Sequence, residues 1–248
     1  MDYENIKRHL GEEWLNKQKQ FIQNKKWVKV EPKDKISNEP AFYILEKIDE
    51  LIKKFETIDG FSKWLVEAKN TNTFEDFLFE LMVLDDLLRK SDLIILKPIN
   101  PVNNKNPEAL IKKGKESFYI EMKKLRDLPS SISNKVDSLF RKAREKFNGS
   151  QGVLFVGTFD FFEYPEGNET ILSEFNLLKR LIQLRFERGY GSSTLAFILV
   201  NFVIKTTPNF EKTGLEKKYY IINKPSEKGG KPLKFFEDIL EVDSFTYL

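Results

Sequence analysis

Two short apolar segments separated by a glycine constrain the fold of this chain more than any other feature. The segments EALIKK and ESFYIEMKKL flank Gly114-Lys115, a dipeptide typical of a tight β-hairpin turn. With a two-residue turn, Lys113 pairs with Glu116, and counting outward places Glu108 directly opposite Glu121. Because side chains alternate along a strand, a shift of one residue would reverse every face. The sequence therefore predicts a hairpin whose outer end carries two facing glutamates.

The predicted register gives the hairpin one face suited to a metal ion. This face carries Glu108, Leu110, Tyr119, Glu121 and Lys123, and the opposite face carries Ala109, Phe118, Ile120 and Met122. Like charges opposite each other destabilise a sheet, and a divalent cation between them would reverse the sign of that interaction. Mg²⁺ prefers carboxylate and carbonyl oxygens and keeps several waters. The pattern predicts a metal site beside Lys123, with a solvated polar face as the alternative.

The prediction depends on the sequence around Glu121, because the triplet [DE]xK by itself is common. It occurs four times, at EPK, EAK, EMK and EKK, which begin at positions 31, 67, 121 and 216. Only the copy at Glu121 lies in an apolar strand and has an acidic residue, Glu108, at the head of the preceding strand. The hairpin is therefore the candidate site, and the other three copies are not.

The rest of the chain predicts an α/β fold with an N-terminal helical region. Apolar residues recur at helical spacing over residues 1–70, which we expect to form a helical region or cap, and residues 71–248 form the second unit. NTFEDFLFELMVLDDLLRK predicts a helix with Thr73 as its N-cap, and SDLIILKPI predicts a strand before the hairpin. After the hairpin, the predicted elements are the helix SNKVDSLFRKAREKF, the strand GVLFVGTF, the helix SEFNLLKRLIQLRFERG, and the strands STLAFILVNFVIK and KKYYIINK.

Two of the predicted helices carry charged residues next to their apolar stripes. In the helix before the hairpin, Glu80 falls inside the stripe, as does Asp85, and a core-facing carboxylate is expensive unless it is paired or metal-bound. In the helix after the hairpin, Lys135, Lys142 and Lys146 align in a narrow arc. These lysines are candidates for contacts with a phosphate backbone, and ordinary lysines lying along an apolar surface are the equal alternative.

Composition excludes several classes of site and leaves the question of partner to the charge distribution. There is no cysteine and one histidine, so thiolate zinc sites, cysteine nucleophiles and Ser-His-Asp triads are not expected. No GxxxxGK[ST] motif is present, which argues against a P-loop NTPase. The net charge is only +3, but residues 105–146 hold twelve Lys/Arg against six Asp/Glu. The charged start MDYENIKRHL and the lack of a long apolar run predict no signal peptide, no membrane span and a cytoplasmic protein.

Several of these motifs together resemble the PD-(D/E)XK nuclease superfamily, which has the restriction-endonuclease-like fold. The resemblance covers residues 74–158 and rests on FELMVLDDLL with Glu80, on Pro107-Glu108, on FYIEMKKL with Glu121 and Lys123, and on KAREKFNGSQGVLFVGT. It implies an αβββαβ core with a mixed central sheet. The first motif of the family usually ends in Asp, and here that residue is Glu108.

The resemblance also implies an activity, namely Mg²⁺- or Mn²⁺-dependent hydrolysis of phosphodiester bonds, in DNA more than in RNA. It assigns Glu108, Glu121 and the Met122 carbonyl to the metal, Lys123 to the attacking water, and Glu80 to support of the site. Candidate nucleic-acid contacts are Lys124, Arg126, Lys135, Lys142 and Lys146. A homodimer would suit a nuclease that cuts both strands. The alternative is a catalytically inactive nucleic-acid-binding or scaffold protein that keeps the fold.

Overall fold

The structure is a computed structural model. It describes residues 2–24, 39–71, 73–125, 132–161, 168–191, 194–206, 213–224, 235–236, 240 and 244–247. The helices are α1 (Glu4–His9), α2 (Glu12–Asn24), α3 (Glu39–Phe55), α4 (Phe61–Thr71), α5 (Phe74–Lys90), α6 (Ile132–Phe147) and α7 (Asn168–Glu187). The strands are β1 (Leu93–Leu96), β2 (Ala109–Lys113), β3 (Glu116–Lys124), β4 (Gly152–Phe161), β5 (Thr194–Thr206), β6 (Thr213–Asn223) and β7 (Ser244–Tyr247).

All the described strands belong to one mixed sheet, which confirms the predicted α/β class. Their order in space is their order in the chain, from β1 to β7. The pairs β3–β4 and β4–β5 are parallel, and the other neighbours are antiparallel. Parallel neighbours need a crossover connection, and α6 and α7 supply the two that the sheet requires. The predicted element order from α5 through β1, β2, β3 and α6 to β4 is therefore present.

Helices cover both faces of the sheet. On one face, apolar residues of α1 to α5 pack against Ala109, Ile111, Phe118, Ile120 and Met122 of the hairpin. On the other face, α6 and α7 pack against a second cluster that includes Leu154, Val156, Phe197 and Leu199. Strand β4 contributes alternate residues to both clusters, as expected of a strand buried on both sides. The hairpin faces predicted from the sequence are those observed.

The N-terminal helices join the same apolar cluster as the sheet. Helical structure over the described part of residues 1–70 agrees with the prediction, and Leu45, Ile48 and Ile52 are buried in the cluster that contains Phe118 and Ile120. The division of the chain at residue 70 stays a prediction. Strand β7 was not predicted, and it pairs with residues Gly214–Lys217 of β6. Among the described helices, none is long and apolar enough to cross a membrane.

Helix α5 begins where the sequence predicted. The hydroxyl of Thr73 accepts a hydrogen bond from the Asp76 amide, and the Asp76 carboxylate accepts one from the Thr73 amide, each at 3.3 Å. This capping box satisfies two amides that the first helical turn leaves without partners. The capping box therefore determines where α5, the helix that carries Glu80, begins.

Candidate metal and phosphate site

The hairpin has the predicted register, so its two glutamates meet at one end. Strand β2 pairs with β3 from Lys113 with Glu116 to Ala109 with Ile120. The next position in this register places Glu108 opposite Glu121. Gly114 adopts a φ of 60°, as the first position of such a turn requires, and its amide donates to Asp92 at 2.6 Å. The turn therefore fixes the facing pair.

Both glutamates are buried, and their oxygens are poorly satisfied. Glu108 is 6% exposed and Glu121 is 0% exposed. Among the described residues, no well-aligned hydrogen bond reaches the Oε2 atom of Glu108 or either carboxylate oxygen of Glu121, and all three atoms are buried. Burial raises the pKa of Glu108, and the negative charge of Glu121 raises it further against the opposing effect of Lys97. Two neighbouring buried carboxylates are unfavourable unless positive charge lies beside them.

Three lysines from two other parts of the chain supply that positive charge. The ammonium of Lys142 lies 2.8 Å from Oε1 of Glu121, and that of Lys146 lies 3.8 Å from Oε2. Lys97 pairs with Oε2 of Glu108 and also lies 2.9 Å from Glu67. Burial disfavours the charged form of Lys142, but its ion pair with the negative charge of Glu121 outweighs burial and raises the pKa of Lys142. Burial also disfavours the charged form of Lys97, and the negative charge of Glu108 outweighs burial and raises the pKa of Lys97.

Lys97 is the residue of this site that sequence reasoning missed. It directly follows β1, adopts a φ of 47°, and its side chain is 2% exposed. Strand β1 pairs with β2 so that Leu96 lies opposite Ala109, and the next position sets Lys97 beside Glu108, whose carbonyl accepts the Lys97 amide at 2.9 Å. Pairing SDLIILK with EALIKK in the sequence would have brought these opposite charges together.

A loop rich in asparagine ties the hairpin to α6. Asn100 is fully buried and donates to the last carbonyls of α6, those of Lys146 and Phe147, at 3.2 and 3.4 Å. The side-chain amide of Asn106 donates to the Lys97 backbone carbonyl at 3.2 Å. The backbone carbonyl of Asn106 accepts a hydrogen bond from the Lys146 ammonium at 2.6 Å. The end of α6 therefore has its free carbonyls satisfied by the segment that leads into Glu108. The lysines and the glutamates are held by one connected network.

Glu80 is buried as its position in the apolar stripe predicted. The indole N–H of Trp64 donates to its Oε2 at 3.2 Å, and the negative charge of Glu80 contributes to the raised pKa of Lys142. Asp85, the other acid in the stripe, is instead engaged by Lys54 at 2.6 Å and Arg89 at 2.8 Å. Of the two stripe acids, Glu80 is the one whose charge acts on a lysine of the site.

The same helix buries a third acid that the sequence pattern did not single out. Asp86 accepts the Lys217 ammonium at 2.6 Å and the hydroxyl of Tyr219. Both partners are buried and belong to β6. Burial and the charge of Asp86 raise the Tyr219 pKa well above its ordinary value. This network joins α5 to β6 and lies outside the hairpin site.

The remaining predicted residues lie in different environments. Lys123 is exposed near the end of β3, on the face of Glu121, and Lys135 is half-buried in α6. Met122 packs its side chain into the apolar core, and the role of its carbonyl stays a prediction. The side chain of Lys124 is 7% exposed and its ammonium lies 3.0 Å from Glu75, and its phosphate contact stays a prediction. Strand alternation turns Lys124 away from Lys123. Arg126 lies outside the described residues.

Within the described ranges, no group of three or more histidine, cysteine, aspartate or glutamate side chains could hold a metal ion. The Glu108–Glu121 pair therefore offers two protein carboxylates, and Glu80 does not complete a set of three with them.

Comparisons with known proteins do not assign a family. No protein-family model matches the chain, and no curated protein matches it either. One solved structure, "The structure of Pyrococcus Furiosus SfsA in complex with Ca2+", is 15% identical with a TM-score of 0.23, and the match covers 51% of this chain and 55% of that chain. The chain thus spans about half of the SfsA chain, and a likeness at this TM-score carries no argument.

Proposed function

We propose that the chain is a metal-dependent nuclease that hydrolyses phosphodiester bonds, with DNA as its preferred substrate and the PD-(D/E)XK arrangement as its catalytic plan. The observation that carries the proposal is the facing pair of buried glutamates. Three of their oxygens lack a well-aligned hydrogen bond, and lysines surround them. The α-β-β-β-α-β element order around the pair and its mixed sheet support the restriction-endonuclease-like core. The preference for DNA follows from the sequence resemblance.

The donor set fits Mg²⁺ or Mn²⁺. Glu108 and Glu121 would hold the ion with the Met122 carbonyl, and waters would complete the coordination, as is usual for Mg²⁺. When bound, such an ion polarises the scissile phosphate and lowers the pKa of a bound water. Burial keeps the two carboxylates away from bulk solvent, which strengthens their electrostatic effect on a cation.

The lysines have separate roles in this proposal. Lys142 and Lys146 neutralise Glu121 in the absence of substrate, and each can turn its ammonium to a phosphate oxygen when a cation takes over that task. Lys123 is exposed on the face of Glu121 and would orient the attacking water and offset negative charge in the transition state. Glu80 would support the site through its charge on Lys142.

A second candidate function is nucleic-acid binding without cleavage. The observation that favours it is Lys97, a buried ammonium already paired with Glu108 and Glu67. A lysine in this position neutralises Glu108 without a metal ion. Glu108 also stands where the family usually has aspartate. In this version the α6 lysines would still contact phosphates.

A plasmid-nicking assay distinguishes the two candidates. Supercoiled DNA is incubated with the protein in Mg²⁺ or Mn²⁺, with an EDTA control and with the variants Lys123→Ala and Glu121→Gln. Lys115→Ala, in the exposed turn of the same hairpin, is the matched control. We expect nicking that disappears with EDTA and in both site variants and persists in Lys115→Ala. Linear product formed without accumulated nicked circles would support a homodimer that cuts both strands.

Other results have defined meanings. Nicking that survives both Lys123→Ala and Glu121→Gln would refute the assignment of the site. If plasmid, single-stranded DNA and RNA all remain intact while a gel-shift assay detects binding that decreases in Lys142→Ala, the non-cleaving candidate replaces the nuclease.

A further inference from the structure

A cleft on the other side of α6 has no part in the proposed nuclease site. It has a volume of about 420 Å³, within the range of small-molecule sites. It lies between α6 and the turn that follows α7, and its lining residues are Asp137, Phe140, Arg141, Arg144, Arg188, Gly189, Tyr190 and Gly191. Arg141 and Arg144 lie at least 100° around the helix from Lys142 and Lys146, given 3.6 residues per turn. The cleft and the glutamate pair therefore lie on different flanks of one helix.

The cleft carries positive charge that no described side chain neutralises through an ion pair. Its three arginines, Arg141, Arg144 and Arg188, are exposed and have no side-chain partner among the described residues. Asp137 is the one acid in the lining, and Arg185 already binds it through two contacts of 2.6 and 3.2 Å. Three arginines that line one cleft, with no ion-pair partner among the described residues, repel one another. An anion with several oxygens would relieve this repulsion, and guanidinium groups match phosphate geometry.

An aromatic ring stands at the rim of the same cleft. Tyr190 lies between Gly189 and Gly191, whose φ angles of 81° and 77° turn the chain sharply after α7. Its ring packs edge-on against Phe140 at a centroid distance of 6.0 Å, and the Arg185 guanidinium lies 5.7 Å from the ring centroid. These contacts fix the ring, yet Tyr190 remains 47% exposed. A fixed and exposed aromatic ring is a surface on which a planar base can stack.

We propose that this cleft is a nucleotide-binding site, in which a base stacks on Tyr190 and its phosphate is bound by Arg141, Arg144 and Arg188. The ring and the arginines line one cleft, so a single nucleotide can use both. The nucleotide comes either from a nucleic-acid strand that wraps around α6 or from a free nucleoside phosphate. The inference goes beyond the proposed nuclease function, because binding here needs neither the metal ion nor cleavage.

Isothermal titration calorimetry of the full chain in EDTA tests this inference. The probes are adenosine 5′-diphosphate, a single-stranded deoxyadenosine hexamer and inorganic phosphate. We expect Tyr190→Ala to weaken nucleotide binding roughly 5- to 100-fold, whereas Tyr190→Phe keeps the ring and the affinity. Arg188→Ala should weaken it about tenfold or more. The matched control is Arg180→Ala, an exposed arginine on α7 that does not line the cleft.

The probes also separate the two sources of nucleotide. Binding of the diphosphate that depends on Tyr190 and Arg188 supports the site with a free nucleotide as ligand. Binding of the hexamer alone, with the same dependence, supports it with a nucleic-acid strand as ligand. The inference is overturned if neither probe binds, if Tyr190→Ala and Arg188→Ala bind like Arg180→Ala, or if inorganic phosphate binds as tightly as the diphosphate. Because EDTA suppresses cleavage, none of these results depends on the nuclease proposal.

Discussion

The ion pair between Lys142 and Glu121 gives the sharpest test of the site as described. The change is Lys142→Met, which keeps a long unbranched side chain on α6 and removes the ammonium. Glu121 is 0% exposed, so it would be left as a buried carboxylate with only the Lys146 ammonium, at 3.8 Å, from α6. We expect the protein to lose stability without a change of fold, because the aliphatic packing of the side chain is retained.

The magnitude follows from the burial of Glu121. Removing one partner of a buried ion pair costs about 3–5 kcal/mol, and the remaining Lys146 reduces this figure. We therefore expect a loss of about 2–3.5 kcal/mol at pH 7.

Urea unfolding in EDTA at pH 7 measures this loss. Lys142→Met should unfold at a lower urea concentration with an unchanged slope, and Lys115→Met should unfold like the unmodified protein. Saturating Mg²⁺ or Mn²⁺ should stabilise Lys142→Met more than the unmodified protein, because the ion no longer displaces an ammonium. Equal midpoints for Lys142→Met and Lys115→Met at pH 7 would refute the reasoning about Glu121.

Three further predictions concern the scaffold. Lys54 and Arg89 overcome burial and lower the pKa of Asp85, so its contribution to stability is present above the usual value of 3.8 and is lost as the pH falls through the lowered value. Asp85→Asn should therefore unfold at a lower urea concentration than the unmodified protein at pH 7. The gap between the two urea midpoints should close as the pH falls into the acid range, and a gap that stays constant with pH would contradict this. Asp86→Ala leaves the ammonium of Lys217 and a tyrosine hydroxyl buried without a partner, and should cost about 3–5 kcal/mol by urea unfolding. Gly60 has a φ of 80°, and a Cβ there would lie 1.8 Å from a carbonyl oxygen at the end of β1, so Gly60→Ala should cost about 3–5 kcal/mol. Gly11→Ala, also at positive φ but with nothing within 4 Å of the added Cβ, should cost only about 1–2 kcal/mol, and urea unfolding of both variants measures the difference.

The hairpin could be predicted from the sequence because its constraints are local. A two-residue turn and the alternation of side chains together fix the pairing of Glu108 with Glu121, and a local capping box fixes the start of α5 at Thr73. The α/β class likewise follows from the order of periodic segments. The restriction-endonuclease-like core and the activity remain proposals, because they rest on a pattern of few residues.

What the sequence did not reveal depends on contacts between distant segments. Lys97 is separated from Glu108 by a loop, and only the pairing of β1 with β2 brings the two together. Asp86 and Lys217 are 131 residues apart in the chain. The ion pair between Lys124 and Glu75 likewise depends on the packing of α5 against β3. In each case the packing of a helix or strand on the sheet brings the two partners into contact. A local sequence pattern does not specify that packing.

The chain order of the sheet has a consequence for how the protein is made. Each described strand from β2 to β7 lies next to the described strand that precedes it in the chain, so the sheet can grow at one edge as the polypeptide leaves the ribosome. The hairpin that brings Glu108 and Glu121 together is translated before α6, the helix that supplies Lys142 and Lys146. Lys97, the partner of Glu108, is translated before either glutamate. Glu121 receives its lysine partners only when α6 packs on the sheet.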